Sequence, residues 1–404
     1  MTNLNRNTIL QRIPDLKIHI DSSNRTQISV DGKIFEFGAY GLTVLDTFSH
    51  PISLSGALEK LQTRVTGAQD WMDLMSTIAQ LHEAGVLREG SQNQPTLRTD
   101  PSGYDAAPIH VAMLNDRART SSLIAGIREV VRPGDVVIDI GTGTGILAIA
   151  AIRAGARHVY AIEATNIGKS AMAVFEANGL ADQITLKEGW STQISLPELA
   201  DVLVSDVIGS EPLAENVLEI TADAVKRLLK RNARLIPNKV KIFGLPVTIP
   251  RSELMKHTFV AETVENWRSW YDINFSPLVE VARDSPYVFF INPPLARDWK
   301  SLSEPILLAD IDLKEIDQLA IDNTVTVTAN TPGQLDGILE YFEMEVGPTT
   351  QFSTHPAQTG PESVRRNMVW VFTAPLILET GDKFTVTYQY RKTEDKSKVG
   401  IRRI

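Results

Sequence analysis

The sequence of 404 residues contains no cysteine. That excludes disulfides, thiolate-bound metals and cysteine nucleophiles together. Histidine is scarce, and its seven copies show no paired ligand spacing, so no structural metal is expected. No stretch approaches the ~20 apolar residues needed to cross a bilayer. The N-terminal segment carries Arg6, Arg12, Asp15, Lys17 and Asp21 and lacks the apolar run of a signal peptide. A cytoplasmic protein without membrane contact is expected. Positive charge is in deficit, since 40 Lys and Arg face 49 Asp and Glu and leave a formal charge of -9. This balance argues against a protein that coats nucleic acid and favours a cationic ligand or a basic peptide.

What remains is a globular composition, 43% hydrophobic and 22% charged, on a chain long enough for two or three domains. Residues 1–95 read as a small unit. Two short strands, "TQISV" and "KIFEFG", flank Asp31-Gly32, a strong hairpin signal. Helical patterns follow in "GLTVLDTFSH", "SLSGALEKLQTRV" and "DWMDLMSTIAQLHEAGVL". In the last, Trp71, Leu74, Met75, Ile78, Leu81 and Val86 recur at helical spacing, and Gly85 reads as the cap. The polar stretch 91–95 reads as a linker. Residues 100–236 alternate strand and helix: "DVVIDIG", "TGILAIAAIRAG", "HVYAIEA", "NIGKSAMAVFEANG", "ITLKEG" and "ADVLVSD". Such alternation predicts a parallel sheet covered on both faces. From 237 to 404 the chain is rich in Pro-bounded β runs, among them "TVTVTAN", "NMVWVFTAPLIL" and "DKFTVTYQYR", and predicts an antiparallel, barrel-like domain. The fold class is therefore α/β, with a small N-terminal unit, a Rossmann-like sheet and a C-terminal barrel.

Two stretches carry chemistry. "DIGTGTG", 139–145, lies between strand and helix with Gly141, Gly143 and Gly145, which let the backbone turn tightly and approach a ligand. A dinucleotide fingerprint would place its third glycine at position 146, where Ile146 stands. Asp139 before the first glycine, with Glu163 closing the next strand, instead resembles a class I S-adenosylmethionine-dependent methyltransferase, which implies that Glu163 takes the ribose hydroxyls. The second stretch, "SDVIGSEPLAEN", follows the strand "ADVLVSD" and holds Asp206, Glu211 and Glu215. Acids at the carboxyl end of a parallel strand can grip a cation there, and acids opening a helix can equally be solvated.

Four motifs in order make residues 100–404 resemble the protein arginine methyltransferases: "YDAAPIHVAMLNDRART" (104–120), "SDVIGSEPLAEN", "LIPNKV" and "FSTHP" (352–356). The resemblance implies S-adenosylmethionine as cofactor, with S-adenosylhomocysteine as product, and a peptide or protein substrate. It implies that Asp206 and Glu215 grip the substrate. Arg119 would meet the methionine carboxylate, Met113 would pack against the sulfonium, and Tyr104 and His110 would stand in the cofactor-binding segment. Residues 251–278 resemble the family's dimerisation arm, which implies a homodimer, although Trp267, Trp270 and Tyr271 can equally be core.

Two departures stand out. Asp206 is one methylene shorter than the family's glutamate. Ser363, Val364 and Arg365 occupy the place of a Thr-His-Trp motif, so the histidine is replaced by an apolar residue, and His355 or His110 would have to substitute.

The N-terminal unit resembles PqqD-like winged-helix domains, which implies leader-peptide recognition in the tailoring of ribosomally made peptides. A folding or dimerisation appendage is the alternative. Residues 1–100 contain nine Lys or Arg against eleven Asp or Glu, a poor phosphate footprint. Three readings remain open: methylation of a peptide or protein side chain, methylation of a small molecule or non-arginine group, and non-catalytic binding of S-adenosylmethionine.

Overall fold

The computed structural model describes residues 5–6, 8–13, 16–20, 26–30, 33–38, 40–49, 51–65, 67–89, 104, 106–281, 287–316, 318–391 and 396–404. These form two compact units, residues 1–99 and 100–404.

In the first unit, β1 (Ile9–Arg12), β2 (Lys17–Ile20), β3 (Thr26–Val30), β4 (Lys33–Phe37), α1 (Gly41–Thr47), β5 (Ile52–Ser53), α2 (Leu54–Leu61), α3 (Ala68–Glu83) and β6 (Leu87–Glu89) follow in order. β2, β3 and β4 make one antiparallel sheet, with Val30 opposite Lys33, and β5, β1 and β6 make another. The Asp31-Gly32 turn and the 91–95 linker lie outside the described residues. α2 is capped by Ser53, whose hydroxyl accepts the Gly56 N–H at 3.1 Å. Leu74, Ile78 and Leu81 of α3 are buried against Leu10, Phe37, Val44 and Phe48. Met75, expected on that stripe, is 40% exposed. It is adjacent to Leu74 in sequence, and a helical step of about 100° carries it off the buried face. Gly85 ends this helical region in the left-handed conformation, at φ 71°.

In the second unit, α4 (Ala107–Asn115) and α5 (Arg117–Val130) precede β7 (Val136–Ile140), α6 (Ile146–Arg153), β8 (His158–Glu163), α7 (Gly168–Ala177), β9 (Ile184–Glu188), β10 (Ala200–Ser205), α8 (Val217–Arg227) and β11 (Leu229–Ile236). The sheet order is β11-β10-β7-β8-β9, all parallel. Every residue of β7 is buried, as a strand covered on both faces requires. The order reverses at β7, so the loops after β7 and β10 share the cleft at the carboxyl ends of the strands.

The remainder comprises β12 (Lys239–Thr248), α9 (Arg251–His257), α10 (Ala261–Tyr271), α11 (Pro277–Val281), β13 (Tyr287–Ile291), β14 (Lys300–Ser301), β15 (Ile306–Asp312), β16 (Ala320–Thr328), β17 (Gly333–Glu345), β18 (Gln351–Ser353), β19 (Asn367–Leu378), β20 (Lys383–Arg391) and β21 (Lys396–Arg403). These strands pair antiparallel in a seven-stranded sheet around β17 and a three-stranded sheet, β16-β20-β21. One apolar core runs from the parallel sheet into the β domain, joining Val137 and Leu203 to Phe342, Phe352 and Tyr388. The two parts of this unit also meet through α5. A Cβ on Gly126 would lie 2.1 Å from the Val346 carbonyl oxygen, so only glycine permits this approach. Nearby, Glu129 accepts the Thr349 N–H at 2.9 Å and its hydroxyl at 2.7 Å.

Candidate active site

The glycine loop after β7 is built as its sequence suggests. Gly141, Gly143 and Gly145 all lie at positive φ, at 73°, 54° and 84°. At Gly145 a Cβ would also strike the Phe175 ring at 2.3 Å. Asp139 is buried, and its Oδ2 accepts the Thr142 hydroxyl at 2.6 Å. Its Oδ1 meets no donor at hydrogen-bonding geometry, although the Ala148 amide acts weakly on the carboxyl. Burial pushes this carboxyl up to about 7; the Thr142 bond opposes the rise, and the charges of Glu163 and Asp206 add to it.

Glu163, also buried, accepts the Gly143 N–H at 2.9 Å on Oε2, and the Thr165 N–H at 2.9 Å and hydroxyl at 2.8 Å on Oε1. It thus braces the glycine loop, and a carboxylate with about four acceptor positions keeps capacity for a ligand hydroxyl. His110 is buried on α4 with Nε2 2.6 Å from the Tyr104 carbonyl oxygen, and its ring would lie 3.6 Å from a Cβ on Gly143. A tight glycine cradle, a buried carboxylate oxygen without a partner and a second acid at the next strand's end fit S-adenosylmethionine. Asp139, the three glycines, Glu163 and His110 would hold it.

The acids after β10 lie in a loop, since α8 begins only at Val217. The side chain of Asp206 is 3% exposed. It is ion-paired with Arg119 through Oδ2 and with Arg365 through Oδ1. Arg119, expected at the cofactor's carboxylate, therefore lies on Asp206; it also donates to the Met113 carbonyl at 3.1 Å and lies 3.9 Å from the Met113 sulfur. Glu215 is exposed and accepts the Tyr104 hydroxyl at 2.8 Å. The Tyr104 hydroxyl is raised above the usual phenol range, first by burial and then by Glu215; Arg365 and Asp206 also act on it, in opposite directions. Tyr104, Glu215, Asp206, Arg119, Met113 and Arg365 thus converge beside the glycine loop, where a Cβ on Gly141 would lie 2.8 Å from the side chain of Val207, the residue after Asp206.

Glu215 and Asn216 both lie in the left-handed region, at φ 63° and 59°, just before α8. Glu211, the middle acid of the three, is half-buried and accepts the Ser397 N–H at 2.8 Å, tying the loop to β21. His355 has a role within the β domain. Its Nδ1 accepts the Ala357 N–H at 3.1 Å, and its ring packs edge-on against Tyr341, 4.8 Å between centroids.

Two residues of this site escape a reading of the sequence. Asp116 is buried at the α4–α5 corner and accepts the N–H groups of Arg119 and Val364, both at 3.1 Å. Arg365 reads there only as the residue replacing an aromatic one. The pairing of an arginine at that place with a shortened acid at 206 is the signal that could have joined them.

The arm region is exposed in part. Trp267 packs edge-on between Phe259 and Phe275, whereas Trp270 and Tyr271 are 64% and 60% exposed, so the last two are not core.

Solved structures share this architecture. The Trypanosoma brucei PRMT1 enzyme–prozyme heterotetrameric complex with AdoHcy superposes with a TM-score of 0.62 at 21% identity, covering 75% of this chain and all of that one. PRMT6 solved with SAH gives 0.57 at 21% identity, over 74% of this chain and all of that one. Fold and site together define a class I S-adenosylmethionine-dependent methyltransferase carrying a C-terminal β domain.

Residues 117–275 match the family model for ribosomal protein L11 methyltransferase, and residues 253–399 match the arginine methyltransferase oligomerization subdomain. Protein arginine N-methyltransferase 1 of Schizosaccharomyces pombe is 30% identical over 263 residues, 63% of this chain and 73% of that protein. Probable protein arginine N-methyltransferase 6 of Arabidopsis thaliana is 28% identical over 283 residues, 67% of this chain and 63% of that protein, so the chain spans just under two thirds of this relative's length. The chain belongs to the protein arginine N-methyltransferase family.

Proposed function

We propose that this chain transfers a methyl group from S-adenosylmethionine to a side chain of a peptide or protein. In this reading residues 1–95 recruit the substrate as a PqqD-like domain, 100–236 hold the cofactor and 237–404 complete the substrate cleft. The target is a ribosomally synthesised peptide, and a homodimer forms through residues 251–278. The observation that carries the reading is the cluster after β10, with Tyr104 on Glu215 and both arginines on Asp206, beside the glycine loop, where a Cβ on Gly141 would lie 2.8 Å from Val207. The bound cofactor supplies an electrophilic methyl group.

The chain's own residues do the rest. Glu215 and Asp206 orient the acceptor, because a carboxylate that fixes a donor group in place aims the neighbouring atom at the methyl carbon. Tyr104 holds Glu215. Asp116 fixes the α4–α5 corner from which Arg119 reaches the site. The exposed Trp270 and Tyr271 supply the apolar surface of the arm.

Calorimetry with S-adenosylhomocysteine tests the class: about micromolar binding or tighter is expected, and no heat would refute it. Glu215→Gln tests the site. Cofactor binding should survive while turnover on a methylated peptide falls on the order of a hundredfold. Undiminished turnover would remove Glu215 from the chemistry.

A further inference from the structure

Arg365 stands where the family resemblance leads one to expect an aromatic side chain, and it is buried against an acid of the site. Its side chain is 4% exposed. Nε donates to the Ile208 carbonyl at 2.9 Å, and Nη2 is paired with Asp206. The guanidinium carbon lies 5.3 Å from the Phe352 ring centroid and 5.8 Å from that of Phe342, cation–π distances.

The backbone around it is stitched to the α4–α5 corner and to the acid loop. Val364 N–H donates to Asp116 at 3.1 Å and Arg366 N–H to Ser210 Oγ at 2.9 Å. Arg365 is therefore held as part of the site, and displacing it would strand its charge in a poorly solvated place and leave Asp206 with Arg119 alone.

The charges follow. Both oxygens of Asp206 already meet guanidiniums, Oδ1 that of Arg365 and Oδ2 that of Arg119. A guanidinium substrate would enter beside two guanidiniums that already pair with this acid, and their repulsion would add to the cost of desolvating its own charge. An uncharged polar group of the same shape escapes that penalty. Shortening the acid at position 206 to aspartate also leaves the room that Arg365 occupies.

The geometry points to Arg365 as a specificity-determining residue: it sits on Asp206 in place of a substrate guanidinium and makes the pocket select an uncharged acceptor, an amide or hydroxyl side chain, over arginine. This rests on the methyltransferase reading above and names its substrate class. In that transfer the acceptor's N–H or O–H becomes N–CH3 or O–CH3. The released proton passes to the Glu215 carboxylate, and the donor leaves as a neutral thioether.

The test uses the full chain with S-adenosylhomocysteine bound and no turnover. Calorimetry compares a glycine pentapeptide carrying one central arginine with the same peptide carrying citrulline, the uncharged isostere. Wild type should bind the citrulline peptide about tenfold or more tightly than the arginine peptide. Arg365→Gln and Arg365→Met should each move that ratio toward arginine by about tenfold or more, as expected for removing a unit charge close to the ligand. Arg365→Lys, which keeps the charge, should hold the wild-type order.

A ratio that is the same in all four proteins while each binds S-adenosylhomocysteine equally overturns this proposal alone. So does a wild type that prefers arginine or binds no citrulline peptide. A wild type that binds no S-adenosylhomocysteine overturns the methyltransferase reading and this proposal with it. Since either uncharged replacement suffices, a folding defect in one leaves the other to decide.

Discussion

Asp139→Asn isolates the burial of a single carboxyl. In the folded chain this group holds its proton up to about 7, against 3.8 when free, chiefly because it is buried with one oxygen lacking a proper donor. The folded state therefore binds more protons than the unfolded state between those values. Stability falls as pH rises from about 4 to about 7, and the full penalty is felt above that. A rise of this size corresponds to roughly 4 kcal/mol.

Asparagine keeps an acceptor for the Thr142 hydroxyl and removes the charge, but its amide N–H group faces the site of the unpartnered oxygen. A buried unsatisfied donor costs about 1–3 kcal/mol, so the net gain expected at pH 8 is about 1–3 kcal/mol, vanishing or reversing near pH 5. Urea unfolding without ligand, followed by tryptophan fluorescence, reads this directly, because five of the six tryptophans lie beyond residue 100. S-adenosylhomocysteine affinity should fall in the same variant, since the acceptor offered to the ligand is lost. A difference between variant and wild type that is the same at pH 5 and pH 8 would refute the argument from burial.

Glu163→Ala should weaken S-adenosylhomocysteine by roughly 1–3 kcal/mol, through loss of both a ligand acceptor and the brace on the Gly143 N–H; unchanged calorimetric affinity would remove Glu163 from the cofactor site. Replacing Trp270 and Tyr271 together by glutamate should shift the sedimentation coefficient to that of a monomer, with the melting temperature nearly kept because both side chains are exposed; a wild type already monomeric at high micromolar concentration would refute the arm's role. A chain beginning after residue 95 should keep cofactor binding and turnover at saturation yet lose apparent affinity for a full-length peptide, the signature of lost ground-state binding. Equal kinetics would make residues 1–95 an appendage.

The parallel sheet was legible because strands buried on both faces are nearly all apolar, as β7 is apart from Asp139 and β10 apart from Asp201 and Ser205. The tight loop after β7 was legible because positive φ leaves a local mark, glycine at 141, 143 and 145. Nonlocal polar pairings leave none. Glu211 reads as one of three acids in a loop, and only the fold brings the Ser397 N–H to it across 186 positions. Arg365 meets Asp206 across 159 positions. A sequence marks Arg365 as a departure and Asp206 as a shortened acid without saying that the two compensate each other. Helical spacing likewise put Met75 with Leu74, although the buried stripe of α3 was too narrow for both.

Glu215 and Asn216 stand in succession at positive φ, where residues with side chains rest at a cost of order 1–3 kcal/mol each. Glycine at 215 would relieve that strain and delete the carboxylate that Tyr104 holds. The entry to α8 is thus a place where folding and chemistry ask for different residues. Drift under selection for stability alone would carry position 215 to glycine, so a lineage that keeps an acid there retains it against the grain of its own fold.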